Sequence, residues 1–105
     1  MRKRKEGKNV KYSKELYDIA NLSKNEQEQS NICKIEYYKI KEEKYGIEII
    51  KKLNNNETEV KQARKIEISE EKINELLEIL KRNRVTPMEL EYVLEDLNYI
   101  NQNMV

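Results

Sequence analysis

Between Lys51 and Lys65 lies the densest group of side chains able to act on a charged polymer. Lys51 and Lys52 lead into three asparagines, Asn54, Asn55 and Asn56, and Lys61, Gln62, Arg64 and Lys65 follow. Ammonium and guanidinium groups neutralise phosphates, while carboxamides donate to and accept from base edges. A two-stranded ribbon with these residues around its tip can enter a nucleic-acid groove as a helix does. The same composition also describes a solvated hairpin whose lysines discourage aggregation, and Glu57 and Glu59 dilute its positive field. A second basic stretch, Arg2, Lys3, Arg4 and Lys5, resembles the flexible arms that follow a minor groove or a phosphate backbone. It equally fits a solubilising tail.

Other chemistry is sparsely provided for. Histidine is absent, Cys33 is the only cysteine, and the chain has two glycines. That leaves no imidazole for proton transfer, no thiolate metal cage, no intrachain disulfide and no phosphate-cradling loop. The expectation is a non-enzymatic protein with no cofactor and no metal. Cys33 beside Ile32 and Ile35 reads as a small core residue, not as a reactive thiol. Tyr37, Tyr38 and Tyr45 can stack on bases, although packing in a sheet with a wet hydroxyl is the commoner fate of such residues. No apolar run reaches about 18 residues and no secretory pattern is present, so a soluble, cytoplasmic protein without membrane contact is expected.

These groups need a scaffold, and 105 residues make one domain of modest core. Residues 1–12 read as a flexible basic arm and 13–105 as a single folded domain. Ser13 offers an N-cap, and Leu16, Ile19 and Ala20, with Tyr12 a turn earlier, predict a helix to about Asn25. NEQEQSN is a polar connector. CKIEYYKI, KYGIEIIKKL and EVKQARKIEI are rich in Ile, Tyr and Val and predict three antiparallel strands. Tyr45-Gly46 and Asn54 to Asn56 read as turns, because Gly and Asn tolerate positive φ. Ile47, Ile49 and Leu53 share one face, and Val60, Ile66 and Ile68 another, with alternation weakening around Gln62 to Arg64. Ser69 caps a helix with an Ile73, Leu76, Leu77, Leu80 stripe. Thr86-Pro87-Met88-Glu89 starts a second, with Leu90, Val93, Leu94 and Leu97. The predicted class is α+β, in the order α-β-β-β-α-α.

Two helices joined by a short turn outline a helix-turn-helix. However, the second carries Glu89, Glu91, Glu95 and Asp96 and no Lys or Arg, which opposes a phosphate backbone. The two helices therefore read as core and subunit-packing elements. The charge is polarised along the chain: residues 1–14 hold seven Lys/Arg against one Glu, and residues 69–105 four against eight acids.

The segment ISEEKINELLEILKRNRVTPMELEYVLEDL, preceded by YGIEII, resembles a family of small clostridial proteins that includes the TcpK-like accessory proteins of conjugative plasmids. The resemblance implies a winged helix-turn-helix homodimer with a three-stranded antiparallel sheet. It also implies binding of double-stranded DNA at an origin of transfer within a relaxosome, through the wing. On this chain the wing corresponds to Lys51 to Lys65. A relaxase or another transfer protein is the implied neighbour. The expected function is thus a DNA-binding accessory factor. The alternatives are a protein-protein adaptor docking a basic partner on the acidic last helix, and a small transcriptional regulator.

Overall fold

The computed structural model describes residues 13–22 and 32–99. Four strands, β1 (Ser13–Asn21), β2 (Cys33–Lys41), β3 (Tyr45–Leu53) and β4 (Asn56–Ile66), form an antiparallel meander in sequence order. Helix α1 (Glu70–Arg82), a 3₁₀ turn (Pro87–Glu89) and helix α2 (Leu90–Asp96) follow. The order is β-β-β-β-α-α, which overturns the three-stranded, helix-first winged helix-turn-helix architecture.

The first element is where the expectation fails. Leu16, Ile19 and Ala20 are spaced as on a helix, yet they lie in β1, paired with β2. The register shifts between Leu16 and Asp18, so Leu16 pairs with Tyr38 and Ile19 with Glu36. Neighbouring positions on β2 two apart lie on one face, so the bulge puts residues three apart in β1 on the same side. The bulge brings Leu16 and Ile19 to one side, whereas Ala20, opposite Ile35, faces the other and alone of the three is buried; pairing with β2 decides the outcome.

A second bulge repeats the effect in β4. Ile47 pairs with Ala63 but Tyr45 pairs with Ile66, and Lys65 adopts φ 60° within the shift. Ile66 consequently turns into the core at 4% exposure while Val60 stays 48% exposed. The expected common face of Val60 and Ile66 is broken at the place where the alternation weakens.

Asn54 and Asn55 have φ 55° and 70°, as a two-residue hairpin link with positive φ at both positions requires. Asn54 N–H donates to the Ile32 carbonyl (2.8 Å), and Asn54 Oδ1 accepts from Ile32 N–H (2.9 Å). The hairpin tip is therefore tied to the start of β2. Gly46, expected in a turn, lies inside β3, and the turn itself falls at residues 42–44.

α1 begins as its sequence dictates. Ser69 Oγ accepts from Lys72 N–H (3.2 Å), and Glu70 and Glu71 occupy the positive end of the helix dipole. Arg84, with φ 52°, closes the helix: its N–H reaches Lys81 O, and Val85 N–H reaches Leu80 O. That pair of bonds satisfies orphan carbonyls and turns the buried Val85 back onto Leu80. Glu89 Oε1 then accepts from Thr86 N–H (3.0 Å) at the next helix start. α2 ends at Asp96, earlier than its stripe implies, because Asn98 takes φ 63° and Tyr99 N–H bonds back to Leu94 O.

Ile73, Leu76, Leu77 and Leu80 pack on one sheet face with Ile35, Tyr37, Ile47, Ile49 and Ile66, and Val85, Leu90 and Leu94 complete the cluster. Each such side chain gains about 1.5–3 kcal/mol on burial, set against the entropy of ordering the chain. This layer fixes α2 beside β4 and so determines what the two elements present to solvent.

Candidate functional site

The hairpin exists, but its cations are mostly engaged. Lys52 Nζ lies 3.2 Å from Glu36 Oε2, across β2–β3. Lys51 lies 3.9 Å from Glu59. Arg64 grips Glu42 through two parallel bonds, Nε to Oε2 at 3.0 Å and Nη2 to Oε1 at 2.6 Å. Such a fork is geometrically specific and among the stronger ion pairs. The bond from Arg64 is the main reason the Glu42 carboxyl titrates below its ordinary range. Gln62 Nε2 donates to Glu48 Oε1 (3.3 Å). Lys61 and Lys65 are exposed and make no ion pair among the described residues, and Asn55 and Asn56 are also exposed. Asn54 has the structural task described above. Arg2, Lys3, Arg4 and Lys5 lie outside the described residues, as does the rest of the expected arm.

The tyrosines behave as sheet aromatics. Tyr37 is fully buried and its hydroxyl donates to the Val85 carbonyl at 2.9 Å, with burial pushing its pKa well up. Tyr38 donates to Glu36 Oε1 at 2.8 Å, and burial, then that bond, raise it to about 12. Lys14 sits 4.7 Å above the Tyr38 ring and 3.0 Å from Glu48. Lys14, Glu36, Tyr38, Glu48 and Lys52 thus interlock on the sheet face opposite α1. The sequence hinted at this only through carboxylates alternating with apolar residues in two strands. It could not say which lysine met which glutamate.

Charge pairing reaches well beyond the hairpin, and pH should read it out. Lys39 is buried among core residues and bonds to Glu70 (2.9 Å) and Asn74 (3.0 Å) on α1. Glu70 is lowered chiefly by that Lys39 bond, Glu67 by Lys44, and Asp18 by the Ile19 N–H and then by Lys81. A carboxyl lowered by folding stabilises the fold above its unfolded pKa, near 4, and ceases to as pH falls through the folded value. Tyr17, Tyr37 and Tyr38 are raised, so their contribution holds below about pH 10 and fades as pH climbs through the folded values. Thermal melts should therefore show a plateau between about pH 5 and pH 10 with losses on both sides. Equal melting temperatures at pH 7 and pH 3 would contradict the assignment.

The second surface lies on the helical layer. Leu90 and Leu94 are buried, whereas Met88 and Tyr92 are 71% and 70% exposed. Met88 and Tyr92 are four positions apart, so they share the outward side of this helical segment. Exposed Glu89, Glu91 and Asp96 surround them. A shallow cleft of about 200 Å³ separates this helix from β4, lined by Ala63, Leu90 and Leu94 with Lys61 and Glu91 among its charged residues. Sequence reading found the acids but passed over Met88 and Tyr92. Their signal was large side chains standing just off the leucine stripe.

No helix among the described residues is long and apolar enough to cross a membrane. No curated protein and no solved structure matches the chain. A family model of unknown function, DUF6514, matches residues 16–99, from within β1 to just past α2, and makes no connection with plasmid transfer. The chain belongs to that family.

Proposed function

We propose that the chain is a non-catalytic, cytoplasmic adaptor whose helical layer docks a partner protein bearing Lys and Arg around an apolar anchor. One observation carries this reading: Met88 and Tyr92 stand about 70% exposed on a helix whose other side is buried, inside a border of carboxylates. Tyr and Met are enriched at interface centres, and rim charges of one sign select a partner of the other. On the hairpin, by contrast, Lys51, Lys52 and Arg64 already hold carboxylates of the same chain.

A photo-crosslinking residue placed at position 92 in living cells should capture a discrete protein, while the same residue at Lys72 on the exposed side of α1 should not. Adding Glu91→Lys and Glu95→Lys should abolish that adduct. An adduct insensitive to both reversals, or none at all, would rule the adaptor surface out.

A second reading keeps the DNA duplex at an origin of transfer, and it is favoured by Lys61, Lys65, Asn55 and Asn56 standing exposed along β4 and its turn. Lys61→Ala with Lys65→Ala should then weaken binding for every sequence alike. Lys61 and Lys65, the hairpin cations without an ion pair among the described residues, should contribute a slope near −2 per chain to log K against log salt, at about 0.9 per phosphate contact. Titrating fluorescent random and plasmid-origin duplexes at two ionic strengths reads this directly. No binding at the lower salt would remove the DNA reading and leave the adaptor intact.

A further inference from the structure

The last cation of the chain is Arg84, and Val85 to Val105 hold Glu89, Glu91, Glu95 and Asp96 with no Lys or Arg. Among the described residues Glu91, Glu95 and Asp96 make no ion pair, whereas the sheet carboxylates Glu36, Glu48 and Glu59 each meet a lysine. Glu95 and Asp96 follow Tyr92 by three and four positions in α2, the spacing that sets side chains next to one another on a helix, about 5–6 Å apart. An exposed ring thus stands beside two carboxylates.

The chain uses such a combination once for itself. On the sheet face opposite α1, Lys14 Nζ lies 4.7 Å above the Tyr38 ring and 3.0 Å from Glu48 Oε1, so one cation is shared between an aromatic face and a carboxylate. Tyr92, Glu95 and Asp96 present the same two kinds of receptor outward, on a helix that has no cation of its own.

We infer that this face takes an arginine of the partner protein, its guanidinium flat on the Tyr92 ring and its N–H groups donating to Glu95 and Asp96. The inference rests on the adaptor reading and names the side chain by which the partner is held. Arginine suits the site better than lysine because a planar, weakly hydrated guanidinium can stack and hydrogen-bond within its plane at once. An ammonium is a strongly hydrated point charge and satisfies one receptor at a time. Met88, one turn before Tyr92, takes the apolar residue beside that arginine.

The test is a heteronuclear NMR titration of the full chain at low salt with oligoarginine and oligolysine peptides of equal length. Oligoarginine should shift the amides of Met88 to Leu97 with a Kd about fivefold or more below that of oligolysine. At Glu71 and Glu75, exposed acids on α1, the two peptides should act alike. Tyr92→Leu should abolish the preference for arginine, and Glu95→Gln with Asp96→Asn should weaken both peptides; unchanged shifts elsewhere show that each variant is folded. Equal affinities at Met88 to Leu97, or a preference that survives Tyr92→Leu, would overturn the inference while leaving the adaptor reading to the adduct at position 92. If Arg2→Ala with Arg4→Ala moved the same amides without peptide, the chain's own N-terminal residues would be the occupant, and the inference would fall as well.

Discussion

Leu80→Ala lowers the stability of the fold by about 2–5 kcal/mol, the range for emptying a fully buried leucine site. Leu80 has no exposed surface and belongs to the cluster joining α1 to the sheet. Its carbonyl also accepts the Val85 N–H that reverses the chain after α1 (3.0 Å). The substitution leaves that backbone bond in place but takes away the side chain onto which Val85 turns. Small domains have only about 5–15 kcal/mol in total, so the variant should melt roughly 10–30 °C earlier. The informative control is Leu97→Ala. Leu97 continues the same seven-residue pattern after Leu90 and Leu94, yet it is 40% exposed. It should cost under about 1 kcal/mol. Calorimetry on the pair would measure how far periodicity alone misjudges burial; equal losses would mean that the end of α2 at Asp96 has been misplaced.

That contrast states the wider lesson. Periodicity and capping residues identified α1 to the residue at its start, since Ser69, the two acids and the Ile73–Leu80 stripe are all local signals. β2, β3 and β4 were equally readable from their Ile, Tyr and Val content. β1 was not, because a bulge between Leu16 and Asp18 set Leu16 and Ile19, three apart, on one side of a strand. Bulges are settled by the partner strand, which lies elsewhere in the chain. The site suffered in the same way. A run of Lys, Asn, Gln and Arg is visible in sequence, but whether an amine is free depends on what lies across the sheet. Glu36 answers Lys52 from another strand and Glu42 answers Arg64 from the turn between β2 and β3. Both pairings are consequences of register. Among the described residues of the hairpin, Lys61 and Lys65 are left without an ion pair, a smaller set than its composition implied.

Register also governs Gly46, whose replacement by alanine should be the most damaging single-methyl change in the sheet. A Cβ built there would lie 2.7 Å from the Ala63 carbonyl oxygen, 3.0 Å from Arg64 Cα and 3.4 Å from Ile40 Cβ. The two nearest atoms are backbone, so no rotamer change relieves the contact. β4 must move away from β3 at the point where its bulge brings the strands together. Overpacking of this kind costs about 1–3 kcal/mol, and Gly46→Val should cost more. Because Arg64 sits at the contact, its bidentate grip on Glu42 should loosen as well, raising the Glu42 pKa toward the ordinary carboxylate range. The opposite behaviour is expected at Asn55, where φ is 70° and glycine relieves strain in a two-residue hairpin turn. Asn55→Gly should leave the denaturant midpoint unchanged or raise it slightly. The sequence offers Gly46 and Asn55 as equivalent turn residues, but the fold uses glycine at Gly46 for close approach between strands and asparagine at Asn55 for positive φ. A Gly46→Ala chain with the parent's midpoint and an unshifted Glu42 titration would show that β4 does not approach β3 as closely as this packing requires.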